Sequence, residues 1–415
     1  MRDRELYRKL LGIESPWTVA DVDVRMDAGE VEVSIERGSA AKLRCPECNK
    51  TCPGYDSRRR TWRHLDTMQF RTLLTAEVPR VKCANHGVKQ IDVPWAGPGS
   101  RLTALLEKVV IDWLKEASAS AVARLLGMSW DEVDGVMQRA VDRGLARRKP
   151  EPLRAIGIDE TSFQKRHEYV TVVYNTDRSC VLSVTDGRTR KAIDDFYWST
   201  PIEHLESLES ISMDMSKAYI SATLDHVPDA EKKIAFDRFH VAKHIGDAVN
   251  RVRREEHAEL QSLGDEILKG SRYLWLQNPE NMKPRQLAKF DVLKVKALKV
   301  ARAWAIKEAA RHLWHYSSRA WAEKAWKKLI GWMDRSRLPA IVAAGKTLRG
   351  HLWGIINAVV LGVTNAHLES VNSRIQALKK RACGYRNRDR FRAAIMFHCG
   401  GLDLYPVPQN THTNP

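Results

Sequence analysis

Apolar and polar residues alternate over residues 20–36 and 68–83, in the runs VDVRMD, EVEVSIE and FRTLLTAEVPRVKC. A period of two predicts short antiparallel strands with one buried face. From about Leu102 to Gly144 the apolar spacing becomes helical, and Gly127 interrupts it. The first of the two expected helices turns Ala121, Val122 and Leu125 inward, and the second buries Val133, Val136 and Met137. Ser129 is placed to cap the second helix, whose first turn carries Asp131 and Glu132, as the helix dipole favours. Pro150 and Pro152 mark a linker, after which strand patterns return at RAIGID, EYVTVVYN, SCVLSVT, SISMD and KIAFD, with helical segments between the last three. Residues 241–335 read as almost wholly helical and are rich in Lys, Arg and Trp. A further helix is expected from near Asn365 to residue 381, with Leu368, Val371, Ile375 and Leu378 as its apolar stripe. The stretch 406–415 is polar, bears prolines and is expected to fray.

A chain of 415 residues can bury more than one core, so roughly two to four units are expected. Its 68 basic residues against 51 acidic ones give a formal charge of +17, which favours a polyanionic partner. No window reaches the roughly 18 uninterrupted apolar residues of a membrane span, and the opening MRDRELYRKLLG lacks the apolar core of a signal peptide. The expected setting is therefore cytoplasmic and nucleoid-associated, with no membrane partner. The seven cysteines are odd in number and crowd unevenly, which argues against a disulfide framework.

Four of those cysteines, Cys45, Cys48, Cys52 and Cys83, fall in one segment. CPEC at 45–48 and CANH at 83–86 offer Cys45, Cys48, Cys83 and His86 as two short-spaced ligand pairs, the arrangement that presents four donors tetrahedrally to one structural Zn²⁺. Cys52 is a substitute ligand, and four unconnected thiols are the plainer alternative. The helix pair joined at Gly127-Met128-Ser129 has the layout of a helix-turn-helix, whose second helix enters a DNA major groove. Its acidic first turn moves the expected base contacts to Gln138 and Arg139, and the basic run RGLARRK adds Arg143, Arg147 and Arg148. An ordinary helical hairpin has the same outline.

Asp159 and Asp214 each close an apolar strand pattern. If those strands lie side by side and parallel, the carboxylates converge, and hard oxygen donors suit two Mg²⁺ or Mn²⁺ ions for phosphoryl displacement. Glu369 is the candidate third carboxylate, on a helical stripe with Asn372, Gln376 and Lys379 that could meet a phosphate backbone. Taken singly, each acid also reads as a turn starter or a helix-dipole partner. Between Ser370 and Arg392 stand eight Lys or Arg against one Asp, among them Lys379, Lys380, Arg381, Arg386 and Arg388, and these are read as DNA contacts. Trp304, Trp314, Trp321, Trp326 and Trp332 fit a buried helical stripe for the most part, although an exposed member could stack on a base.

The ordered set CPEC…RRRTWRHLD…VPRVKCANHGVKQIDVPWA, GIDETSF, SMDMSKAYISA, FDRFHVAKHI and NAHLESVNSRIQALKKRACGYRNRDRF resembles the ISL3 family of insertion-sequence transposases, essentially from end to end. The resemblance implies a DDE enzyme of multidomain α/β class: an N-terminal zinc-binding module, a helix-turn-helix region, and an RNase H-like mixed β-sheet core interrupted by an all-α insertion. On that reading residues 1–99 form the zinc module, 100–148 the helix-turn-helix, 152–245 the first part of the core, 246–350 the insertion, 351–405 the second part and 406–415 a tail. It further implies that Asp159, Asp214 and Glu369 bind the catalytic Mg²⁺. The partners would be double-stranded DNA at the element's ends and at the target, held by a homodimer or larger assembly, with no small-molecule substrate. FDRFH supplies Asp237 and His240 as possible active-site neighbours. The competing readings are a zinc and helix-turn-helix regulator without catalysis, and an RNase H-like nuclease or resolvase. Glu160, expected on the opposite strand face from Asp159, would serve as a control position.

Overall fold

The structure is a computed structural model that describes residues 3–164, 168–296, 298–363 and 366–406. The expected helix start at Asn365, the side chain of Leu368 and most of the expected tail lie outside the described residues. The chain divides into two compact units, one running to Arg148 and joined by the segment from Leu402, the other spanning Lys149–Gly401.

The first unit opens with α1 (Asp3–Leu10) and continues into β1 (Trp17–Arg25), β2 (Glu30–Arg37), β3 (Gly54–Arg63), β4 (Arg71–Cys83) and β5 (Gly87–Gln90). The sheet order is β1-β2-β4-β3, with β5 also paired to β4; β2 and β4 run parallel and the other pairs antiparallel. Alternation works as expected in β2, where Val31, Val33 and Ile35 are buried. The register sets Val33, Leu74 and Trp62 in one row across three strands, and all three are buried. Trp95 packs edge-on against both Trp17 and Trp62, at ring separations of 5.0 and 5.3 Å.

Helices α2 (Ala104–Glu116), α3 (Ala119–Leu125) and α4 (Trp130–Arg147) follow, so the chain breaks at Ala117-Ser118 as well as at Gly127. Thr103, Ser118 and Ser129 accept hydrogen bonds from the first-turn amides of their helices, and Ser129 and Glu132 form a reciprocal capping box. Val122, Val133, Val136 and Met137 are buried as expected. Leu125 is not: it is 59 % exposed, because α3 ends there and the chain turns away at Leu126 and Gly127. The segment from Leu402 packs on α4, where a Cβ on Gly144 would come within 2.7 Å of the Leu402 Cβ.

The second unit contains β6 (Ala155–Gln164), β7 (Glu168–Asn175), β8 (Cys180–Asp186), α5 (Arg190–Ser199), α6 (Ile202–Glu206), β9 (Ser210–Met213), α7 (Lys217–His226), α8 (Ala230–Lys233), β10 (Ile234–Phe236) and α9 (Arg238–Ser262). Its sheet order is β10-β9-β6-β7-β8, with β10, β9 and β6 parallel and β6, β7 and β8 antiparallel. Helices α10 (Arg272–Leu276), α11 (Pro284–Lys294), α12 (Lys299–Arg311), α13 (Arg319–Arg335), α14 (Pro339–Gly350) and α15 (Leu352–Val360) form a largely helical stretch, followed by α16 (Ala366–Arg381) and α17 (Arg388–Cys399). The tryptophans divide as their faces dictate. Trp326 is fully buried, Trp304 and Trp314 pack against the core, and Trp321 and Trp332 are exposed. In α16, Val371, Ile375 and Leu378 form the buried stripe.

Candidate functional site

The expectation that Asp159 ends its strand is corrected by β6, which continues to Gln164 through backbone pairing with β7. Pairing of β6 with β9 stops near this point, at Gly157↔Ser212. Carrying that register forward two residues sets Asp159 level with Asp214, just beyond the end of β9. On the far side of β9, Phe236 pairs with Met213, which brings Asp237 level with Asp214 as well. The Asp237 amide donates to the Met213 carbonyl at 2.8 Å. Three aspartates thus stand in a row where three parallel strands finish their pairing. The same signal, an apolar strand closed by Asp, is present in KIAFD, whose Asp237 the sequence marks only through the D-x-x-H pair with His240.

Each carboxylate is held locally. Asp214 accepts from the Ser216 amide at 2.9 Å, and Asp237 caps α9 by accepting from the Phe239 amide at 2.6 Å. Burial raises the pKa of both above the ordinary Asp range, and the negative charge of Asp159 adds to the rise. His240 Nε2 lies 3.9 Å from Asp159 Oδ1 and 3.7 Å from Asp237 Oδ2, so the D-x-x-H pair faces the row.

Helix α16 lies along β6 through polar contacts. Asn372 Nδ2 donates to Asp159 Oδ2 at 2.5 Å, Gln376 Nε2 to Thr161 Oγ1 at 3.1 Å, and Lys379 Nζ to Ser162 Oγ at 3.1 Å. All three residues expected at a phosphate backbone, Asn372, Gln376 and Lys379, are therefore engaged within the unit. Glu369 lies one helical turn before Asn372, exposed, on the wall of a cavity of about 710 Å³ that it shares with Arg238, Phe239, Lys307, Arg311 and Trp314. Glu160 is no neutral control. Its carboxylate accepts from the Tyr219 hydroxyl at 3.1 Å, and burial followed by repulsion from Asp214 raises its pKa.

In the first unit, Cys45, Cys48, Cys83 and His86 form the one group of three or more His, Cys, Asp or Glu, among the described residues, whose donor atoms all lie within 4.8 Å of one another. The Cys48–Cys83 sulfurs are 3.7 Å apart, Cys45 Sγ is 3.7 Å from His86 Nδ1, and Cys83 Sγ is 3.6 Å from the same nitrogen. A tetrahedron with Zn–S bonds of about 2.3 Å has edges of roughly this length, so the donor set fits zinc. Amides of Asn85 and His86 point at Cys83 and lower its pKa to about 7, favouring the thiolate that a metal needs. Cys52 bonds instead to the Lys50 carbonyl.

The helix-turn-helix arginines are also tied down. Buried Glu107 of α2 accepts from Arg139 Nε at 2.8 Å and from Arg143 at 3.3 Å, and Arg147 bonds to the Asp403 carboxylate at 2.9 Å and the Tyr405 carbonyl at 2.6 Å. Gln138 and Arg148 are half-buried. Lys380, Arg381 and Arg386 are exposed beyond the α16 contacts, while Arg388 pairs with Glu168 at 3.2 Å.

Residues 156–395, more than half of the chain, match the family model described as transposase for the ISL3 group. The chain belongs to the ISL3 transposase family. Within this ISL3 chain, residues 91–141 match the helix-turn-helix domain of transposase family ISL3. Residues 42–86 match the zinc-finger of transposase IS204/IS1001/IS1096/IS1165, a span that contains the three cysteines and the histidine. The chain is 28 % identical to the transposase for insertion sequence element IS1557 of Mycobacterium tuberculosis, over 100 % of this chain and 99 % of that protein. It is 27 % identical to the transposase for IS1001 of Bordetella parapertussis, over 94 % and 97 % of the two. The ISL3 chain is a DNA transposase, an enzyme that binds and acts on DNA, with zinc ribbon, helix-turn-helix and transposase domains in that order. Among the described residues no helix is long and apolar enough to cross a membrane.

Proposed function

We propose that Asp159, Asp214 and Glu369 are the DDE set of this transposase and that they act in an RNase H-like core interrupted by the helical stretch 246–350. The single observation that carries the reading is the register that sets Asp159 level with Asp214 across adjacent parallel strands. Three antiparallel strands flanked by two parallel ones, with helices in the connections, support the core assignment. Crowded carboxylates whose burial disfavours their charge fit a divalent cation, and Asp159, Asp214 and Glu369 would hold it, with Asp237 and His240 beside them. Two Mg²⁺ or Mn²⁺ ions, when bound, would supply Lewis-acid stabilisation of the attacking and leaving oxygens of an in-line displacement.

The chain's own residues supply orientation and charge. Asn372 holds one oxygen of Asp159, which leaves the other turned toward His240. Exposed Lys380, Arg381 and Arg386 are suited to the phosphate backbone, and the zinc ribbon, built on Cys45, Cys48, Cys83 and His86 around one structural Zn²⁺, joins the helix-turn-helix in gripping the terminal inverted repeats. Hydrolysis at an element end frees a 3′-hydroxyl, and the same site directs that hydroxyl at target DNA. The second step exchanges one phosphodiester for another, so it needs no nucleotide energy. Bringing two ends together calls for a dimer or larger assembly.

The test is Mg²⁺-dependent cleavage and strand transfer on DNA that carries the element's ends. Asp159→Ala, Asp214→Ala and Glu369→Ala should each bind the ends and lose both reactions by several orders of magnitude. A regulator would bind with no activity in any form, and a nuclease or resolvase would cut without joining. Wild-type activity in the three variants would overturn the proposal.

A further inference from the structure

We infer that Tyr174 and Asn372 form a positioning relay that sets the rotamer of Asp159, an inference that rests on the proposed role of Asp159 as a metal-binding carboxylate. Tyr174 Oη donates to Asn372 Oδ1 at 2.7 Å, and Asn372 Nδ2 donates to Asp159 Oδ2 at 2.5 Å. The direction of this chain follows from its members. An ionised carboxylate only accepts, so the amide must present its nitrogen to Asp159 and its oxygen to Tyr174, and the phenol must be the donor. Tyr174 is 1 % exposed on β7, so little water competes for that hydroxyl. Burial, with Asp159 nearby, also keeps the phenol protonated by raising its pKa well above the ordinary value.

Asp159 Oδ1 accepts from the Glu160 amide at 2.7 Å. With both oxygens committed, the carboxylate has one orientation, in which Oδ1 is turned toward His240 and Oδ2 toward α16. Docking of α16 does not need Asn372 for itself, because Gln376 and Lys379 bond to the same strand and Val371, Ile375 and Leu378 are buried. The relay thus joins three elements, β7, α16 and β6, at the atom where a metal would sit. Partners one bond removed from a metal typically control affinity by about 10- to 100-fold.

The experiment is a titration of the full-length protein with Mn²⁺, followed by calorimetry or by the spin signal of the free ion, alongside cleavage kinetics. Tyr174→Phe, which removes only the hydroxyl, and Asn372→Ala should each weaken Mn²⁺ binding by about tenfold or more and lower kcat, with KM for element-end DNA unchanged. The double variant should match Asn372→Ala alone, since the hydroxyl acts through the amide. Gln376→Ala, which removes one docking bond of the same helix, should leave Mn²⁺ affinity as it was. Tyr174→Phe binding Mn²⁺ like the wild type, or penalties that add in the double variant, would overturn the relay. Asp159→Ala separates the two levels: if it binds Mn²⁺ normally, the catalytic assignment falls and the relay with it. If it loses binding while Asn372→Ala does not, only the relay falls.

Discussion

His64 illustrates what one buried side chain does to the first unit. Its Nδ1 lies 2.8 Å from Thr103 Oγ1, and burial pushes its pKa down from 6.5 to about 4. The unfolded chain therefore takes up a proton between pH 6.5 and 4 that the folded one refuses. Stability from this group is fully present above pH 6.5 and is lost as pH falls toward 4, a difference of about 3 kcal/mol. Urea unfolding at pH 7 and pH 4.5 should show that loss in the wild type and a smaller one in His64→Gln, and equal losses would refute it. His64 was unremarkable in the sequence because nothing local marks it as buried; its partner Thr103 stands 39 residues on, at the start of α2. The aspartates were more legible. Asp159 and Asp214 each follow apolar runs, which mark them as carboxylates that converge if the two strands pair in parallel, whereas Asn372 was aimed at DNA because its partner is 213 residues away.

At the level of elements, legibility followed burial of one face. Strands β2 and β4 carry alternating apolar residues and were read directly. Strand β3 was missed because its run Arg58-Arg59-Arg60 is exposed and only Trp62 turns inward. The tail of β6 was missed for a related reason: ETSFQ is mostly polar, Phe163 is its one apolar residue, buried beside Thr161, and backbone pairing with β7 extends the strand. The zinc knuckles were legible because two ligands at fixed short spacing are a local pattern. Metal removal should therefore act on this element in particular. Elemental analysis should find about one Zn per chain, and chelation should lower the melting temperature of the first unit and abolish end binding. A zinc-free protein that melts and binds as before would contradict the assignment.

Across the whole molecule, the chain leaves the first unit at Arg148 and re-enters it at Leu402. The returning segment makes specific contacts. Lys115 donates to the Tyr405 hydroxyl at 2.6 Å, that hydroxyl donates to Asp112 at 2.5 Å, and Arg147 holds Asp403. A stop codon at position 402 should thus weaken binding of element-end DNA by at least tenfold and lower the melting temperature of the first unit by several degrees, although the deletion touches no zinc ligand. Undiminished binding by the truncated chain would show the contacts to be idle. Nothing in the sequence announced this return, since tail and helix are separated by some two hundred and fifty residues and meet at Gly144, where a side chain would collide with Leu402.

That return also sets an order of events during synthesis. When α4 leaves the ribosome, the face around Gly144 has no cover, and the residues that cover it are translated on the order of tens of seconds later. The helix-turn-helix therefore reaches its finished packing only after the whole second unit has been made, so a nascent or prematurely terminated chain should compete poorly for DNA.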